Sequence, residues 1–111
     1  MKHLRLAHKE SFKGNHGIPN FRMAACVVKG GAVLSKAANH DWNHAESRAL
    51  KRFGTCFEGA TIFVARRNMG CSKPCADCMD KIIEAGISTV IYVDKDGNIV
   101  KESVSKYKEA A

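Results

Sequence analysis

The sequence has no long apolar run. Nothing in it approaches the about 18 residues that a membrane-spanning helix requires. The segment Met1-Lys2-His3-Leu4-Arg5-Leu6-Ala7-His8-Lys9-Glu10 has no apolar stretch of the kind a secretory leader carries, so a cytoplasmic protein is expected. Internal repeats, low-complexity tracts and linkers are also lacking, and 111 residues suit one domain spanning 1–111. Aromatic residues are scarce at 7%, which weighs against a stacking platform for a nucleic acid strand. The five cysteines are an odd number with two in a tight cluster, a pattern that suggests metal binding or catalysis before a disulfide framework.

What is present is an ordinary globular composition, 45% hydrophobic and 26% charged, in a chain long enough to bury a core without disulfides. The formal net charge of +7 favours anionic partners: nucleotide phosphates, nucleic acid or an acidic surface. The basic residues are scattered along the chain, so solubility alone also accounts for many of them.

Residues 1–13 read as a basic amphipathic helix with Leu4, Leu6, Ala7 and Phe12 as core contacts. Gly14 to Asn20 carries loop signals. Met23–Val28 and Ala32–Leu34, separated by Gly30-Gly31, read as a hairpin. From Trp42 to Phe53 the period becomes helical, with Trp42, Ala45, Ala49 and Phe53 at three- and four-residue steps, Asp41 as N-cap and Gly54 as stop. Thr61–Ala65 is a buried strand, and Arg66–Lys73 a polar loop. Pro74 opens a helix over Cys75–Ala85, with Cys78, Met79, Ile82 and Ile83 inward and Gly86 ending it. Ser88–Val93 is a strand, Asp94-Lys95-Asp96-Gly97 a turn and Asn98–Val100 a short last strand. Ser103–Ala111 is a polar tail. The order α-β-β-α-β-α-β-β predicts an α/β fold, a three-layer α-β-α sandwich on one sheet.

Two motifs carry chemistry. His44-Ala45-Glu46 lies just inside the start of the second helix, and Pro74-Cys75-Ala76-Asp77-Cys78 opens the third. A helix places Cys75 and Cys78 on one face, in the first turn, where the helix dipole favours thiolates. His44 gives a third ligand, and three ligands leave the fourth tetrahedral position to water, the arrangement of a catalytic zinc site. Zinc lowers the pKa of such a water to about 7. Glu46, two residues beyond His44, does not share the metal-binding direction but can reach that water, as suits a proton carrier.

His-x-Glu followed by Pro-Cys-x-x-Cys is the signature of the zinc nucleobase deaminases. From about Met23 to Val93 the chain resembles the cytidine and deoxycytidylate deaminase superfamily. Met-Ala-Ala-Cys-Val-Val-Lys-Gly-Gly is similar to that family's first hairpin. Ser72-Lys73-Pro74-Cys75-Ala76-Asp77-Cys78, Ile82-Ile83-Glu84-Ala85-Gly86-Ile87 and Val90-Ile91-Tyr92 resemble the segment around its second motif. Asn39 falls where many members keep an asparagine that contacts the sugar. The resemblance implies a five-stranded mixed sheet, with one zinc per chain between two helix N-termini and a catalytic water or hydroxide. It also implies a homo-oligomer. The implied activity is hydrolytic deamination, cytosine to uracil in a (deoxy)cytidine nucleotide or nucleoside. The branch signals conflict. A histidine as first ligand resembles the deoxycytidylate, tRNA-adenosine and nucleic-acid-editing branches, whereas Lys73 stands where the tRNA branch commonly has Glu. The Asp-Gly turn after the fourth strand resembles the free-nucleoside enzymes and implies a fifth strand antiparallel to the fourth.

Competing readings stand beside these. Cys71, Cys75, Cys78 and His44 could form a closed structural zinc site in a non-catalytic or nucleic-acid-binding domain. Cys75-Ala76-Asp77-Cys78 also loosely fits a redox pair. Deamination of cytosine or adenine within single-stranded DNA or RNA is a variant of the enzyme reading. Cys26 and Cys56 read as thiols without a role, and His3, His8, His16 and His40 as plain polar residues. Candidate substrate contacts are Asn39, Trp42, Ala45, Ser72 and Lys73, with Arg66, Arg67 and Lys73 available for a phosphate. Trp42 and Phe21 read equally as core anchors.

Overall fold

The computed structural model describes residues 2–12, 23–39, 45–50, 57–66, 68 and 70–106, without the side chains of Glu46 and Ser47. Its elements are α1 (Lys2–Ser11), β1 (Met23–Lys29), β2 (Ala32–Ala38), α2 (Ala45–Ala49), β3 (Thr61–Arg66), α3 (Ala76–Glu84), β4 (Thr89–Val93) and β5 (Ile99–Ser103). The five strands form one sheet in the order β2-β1-β3-β4-β5. Only β3 and β4 run parallel; β1 is antiparallel to both β2 and β3, and β5 to β4. The sheet is therefore mixed, and the fifth strand returns antiparallel as the Asp-Gly turn implies.

Strand alternation sorts the apolar residues onto two faces. Cys26 and Val28, Phe63 and Ala65, and Ile91 and Val93 pack under Leu4 and Ala7 of α1. Ala25 and Val27, Ile62 and Val64, and Val90 and Tyr92 pack under Ala45 and Ala49 of α2 and Met79 and Ile82 of α3. The result is the three-layer sandwich. Among the described residues no helix is long and apolar enough to cross a membrane.

Local sequence explains the boundaries. Lys29 pairs with Ala32 across Gly30 and Gly31, whose φ values of 59° and 82° give the two left-handed positions of a type I′ hairpin turn. The pairing shifts between Val27 and Val28, so the strand takes an extra residue, Leu34. It then runs four residues past the expected Leu34 end. At the end of α3, Gly86 N–H donates to Ile83 C=O (3.0 Å) and Ile87 N–H to Ile82 C=O (3.3 Å). This double bond pattern requires a left-handed residue, and Gly86 has φ 84°. A Cβ there would also stand 3.1 Å from Glu58 Cα.

Three expectations need correction. Phe12 is not a core residue; it is 51% exposed, because Ser11 takes the inward position and bonds the His8 carbonyl. The last strand is Ile99–Ser103, beyond the expected Asn98–Val100, since pairing with β4 continues to Thr89–Ser103. Cys75 lies outside α3 as its N-cap, and the helix ends at Glu84. The expected helix over Trp42–Phe53 is described only at Ala45–Ala49, with Leu50 in a turn; residues 42–44 and 51–53, with Asp41 and Gly54, lie outside the described residues.

Candidate active site

One edge of the sheet gathers the candidate residues. The ends of β2, β3 and β4 and the start of β1 all meet there, a consequence of the strand directions. Asn39 and Met23 exchange two bonds: Asn39 N–H donates to Met23 C=O (3.0 Å), and Met23 N–H to Asn39 Oδ1 (3.1 Å). Met23 is in turn paired with Arg66. Alternation puts Asn39, Met23 and Arg66 in one row on the α2/α3 face. The Asn39 amide is buried, with its oxygen fixed by the strand and Nδ2 as its donor end. In open sheets with parallel strands, ligands bind beyond the carboxyl ends of the strands.

Cys75 and Cys78 open α3 at this edge. Cys75 has extended backbone at φ −69° and ψ 166°, and its carbonyl accepts from Met79 N–H at 2.8 Å. Its side chain is exposed while Cys78 is buried beneath it. Asp77 adds a negative charge to the same turn, favourable at the positive end of a helix. Two sulfurs a helical turn apart at such an end fit the soft donor set that zinc takes. Among the described residues no three His, Cys, Asp or Glu side chains come together as a metal-binding group. Cys71 thus does not complete a trio with Cys75 and Cys78, unlike the closed site considered above.

Ser72 has a different place from the expected substrate contact. It is fully buried, and its hydroxyl donates to Val64 C=O (2.7 Å) and accepts from Val93 N–H (2.9 Å). Ser72 N–H also donates to Val93 C=O at 2.8 Å. The described β3–β4 pairing extends to Phe63 and Ile91, so Ser72 bridges the strands beyond that point. It thereby fixes the chain three residues ahead of Cys75. Lys73 is exposed between this stitch and the buried Pro74.

Two further residues hold α2 and were not singled out from the sequence. Ser35 Oγ donates to Ala49 C=O (2.7 Å), and Arg48 donates to Ala38 C=O (2.7 Å). Together they tie the helix carrying Glu46 to β2 beside Asn39. No sequence signal marked Ser35, because the expected strand ended at Leu34 and its inward face appears only once β2 runs on to Ala38. Ala45 is buried at 1% exposure, against the sheet. His44, Trp42 and Arg67, with the Glu46 side chain, lie outside what is described, as do Cys56, His16, His40 and Phe21.

Cys26 is remote from this edge, under α1. Burial pushes its thiol up to about 11, with Lys36 pulling down and Glu10 adding to the rise. A thiol so held stays protonated and unreactive near neutral pH, consistent with a core residue.

The chain matches the profile of the cytidine and deoxycytidylate deaminase zinc-binding region over residues 1–94. Its structure is similar to that of cytidine deaminase from Burkholderia pseudomallei, with TM-score 0.75 and 25% identity, covering 93% of this chain and 91% of that one. It is also similar to dCMP deaminase from the cyanophage S-TIM5, with TM-score 0.66 and 26% identity over 85% of this chain and 82% of that one. A third similar structure is a diaminohydroxyphosphoribosylaminopyrimidine deaminase/5-amino-6-(5-phosphoribosylamino)uracil reductase from Thermotoga maritima. It has TM-score 0.62 and 29% identity, covering 78% of this chain but 27% of that longer protein. No curated protein sequence matches the chain.

Proposed function

The chain belongs to the cytidine and deoxycytidylate deaminase family of hydrolytic enzymes, and we propose that it deaminates cytosine in a (deoxy)cytidine nucleotide, with a free nucleoside as the weaker substrate. In this reading His44, Cys75 and Cys78 hold one zinc ion. Bound zinc supplies a Lewis acid that makes water acidic enough to lose a proton near pH 7. Glu46 takes that proton and delivers it to the ring nitrogen beside the amine-bearing carbon. A second proton, also carried by Glu46, goes to the departing amine. One water is consumed, the bond to the exocyclic amine breaks, and the corresponding uridine nucleotide and ammonia result.

The observation that carries this reading is the placement of Cys75 at the N-cap and Cys78 in the first turn of α3, at the edge where Asn39 and Arg66 share a row. The family region matched is a zinc-binding one, which supports the donor set. Asn39 is the candidate for the sugar hydroxyls, and Ala45 and Trp42 for the base. Arg66, Arg67 and Lys73 are the candidates for a phosphate, and Ser72 contributes through the framework. The preference for a nucleotide follows from these cations, because one phosphate needs only one or two of them. The test is incubation with cytidine, deoxycytidine, their monophosphates and single-stranded oligonucleotides, measuring ammonia and conversion to the matching uridine, deoxyuridine or uracil-containing product. Release from the monophosphates ahead of the nucleosides is expected. Release from none of the cytosine substrates would refute the reading.

A further inference from the structure

Three- and four-residue steps along α1 bring Lys2, Arg5, Lys9 and Phe12 to one outer stripe, and all four are exposed. Leu4, Ala7 and Ser11 form the opposite, buried stripe. At about 1.5 Å per residue the three cations span about 10 Å. The stripe contains no carboxylate: Glu10 lies off it and pairs with Lys36 of β2 at 3.6 Å. Across the molecule, exposed residues of α3 are of opposite balance, with Asp77, Asp80 and Glu84 against Lys81. The outer faces of α1 and α3 thus differ in sign, a sorting hidden when the cations are read along the sequence.

We propose that the outer face of α1 is a docking surface for single-stranded nucleic acid, on the opposite side of the sheet from the layer that carries Cys75 and Cys78. Cations repeated along a helix suit a repeating anion, whereas a lone phosphate needs only one of them. Phe12 ends the row, 51% exposed, with its ring edge-on to His8 at 5.3 Å. An exposed aromatic beside a cationic track offers a stacking surface for an unpaired base, which a duplex keeps inside. A membrane surface is disfavoured, because the apolar stripe that would enter lipid is already buried against the sheet. Docking here would hold the enzyme on a strand without presenting that strand to the deaminase site.

The experiment uses fluorescent oligothymidine, which has no exocyclic amine and so reports docking independently of deamination. Three phosphate contacts on a single strand give a log–log salt slope of about −2, or about a twentyfold loss of affinity for a fourfold rise in salt. The combined Lys2→Gln, Arg5→Gln, Lys9→Gln variant should lose that salt-dependent component, with unchanged turnover of a mononucleotide. Phe12→Ala should weaken binding about fivefold or more. A control variant, Lys29→Gln, Lys81→Gln, Lys95→Gln, removes the same charge from exposed sites elsewhere and should bind nearly as wild type. Equal weakening by the control would reduce the effect to net charge and overturn the proposal. So would absence of binding, stripe-dependent binding to phosphatidylserine vesicles in its place, or sedimentation showing that the stripe instead joins two copies of the chain.

Discussion

Replacing Ser72 with alanine separates a framework role from a substrate contact. The serine hydroxyl makes two hydrogen bonds in a fully buried position, one to Val64 C=O and one from Val93 N–H. Alanine leaves both backbone groups without that partner and too deep for water. An abandoned buried donor or acceptor costs about 1–3 kcal/mol, so the pair should cost about 2–5 kcal/mol. The Ser72 N–H bond to Val93 C=O survives, which keeps the loss at the level of side-chain bonds. At about 4 °C per kcal/mol for a domain near this size, Tm should fall by roughly 8–20 °C. Urea denaturation gives the free energy directly, and activity at saturating zinc reports whether Cys75 has shifted. A substrate-contacting serine would behave differently: stability would hold and KM would rise. Loss of less than about 0.5 kcal/mol, within the range of neutral surface changes, together with a raised KM, would refute the framework argument.

Cys78→Ala should cost both zinc and stability, and a chelator should lower the Tm of the wild type but not of this variant; the check is thermal melting with metal analysis. Arg66→Gln should reduce the preference for a nucleotide over its nucleoside by about ten- to a hundred-fold, the worth of one charge-assisted contact at about 1.5–3 kcal/mol. Equal kcat/KM ratios for the two substrates in wild type and variant would remove Arg66 as the phosphate partner. Cys26 makes stability fall at alkaline pH. Its folded pKa of about 11 lies above the ordinary thiol value of 9.0, so the unfolded chain gives up its proton first, and stability present below pH 9 declines between 9 and 11. After allowance for screening the loss is at most about 2 kcal/mol. Denaturation of wild type and Cys26→Ala at pH 8.5 and 10.5 should show the smaller decline in the variant.

Much of the architecture was legible because strand and helix periods differ. Met23–Val28 and Thr61–Ala65 read as strands, and Gly30-Gly31 as a two-residue hairpin, for reasons the register confirms. The spacing of Cys75 and Cys78 likewise placed both at a helix start. Four things were not legible. The bulge at Leu34 and the long β2 depend on partner strands, so nothing local to Ser35–Ala38 announced a strand. Phe12 looked apolar enough for the core, yet Ser11 occupies the inward phase of α1 once its hydroxyl bonds the His8 carbonyl. Ser72 stood beside the motif and so read as a substrate contact; its two backbone partners come from Val64 and Val93, remote in sequence. The charge of α1 looked scattered because its cations are three and four residues apart, the spacing that a helix brings into line.

In the proposed reaction Glu46 moves protons during hydrolysis of a cytosine amine without holding the metal. The direct measurement is formation of ammonia and deoxyuridine monophosphate from deoxycytidine monophosphate by the wild type and by Glu46→Ala, with zinc content determined on the same samples. Product should form with the wild type, while Glu46→Ala should keep an unchanged zinc content near one per chain and turn over about 10²–10⁴-fold more slowly. Near-normal turnover by Glu46→Ala, or loss of its zinc, would contradict that role for Glu46.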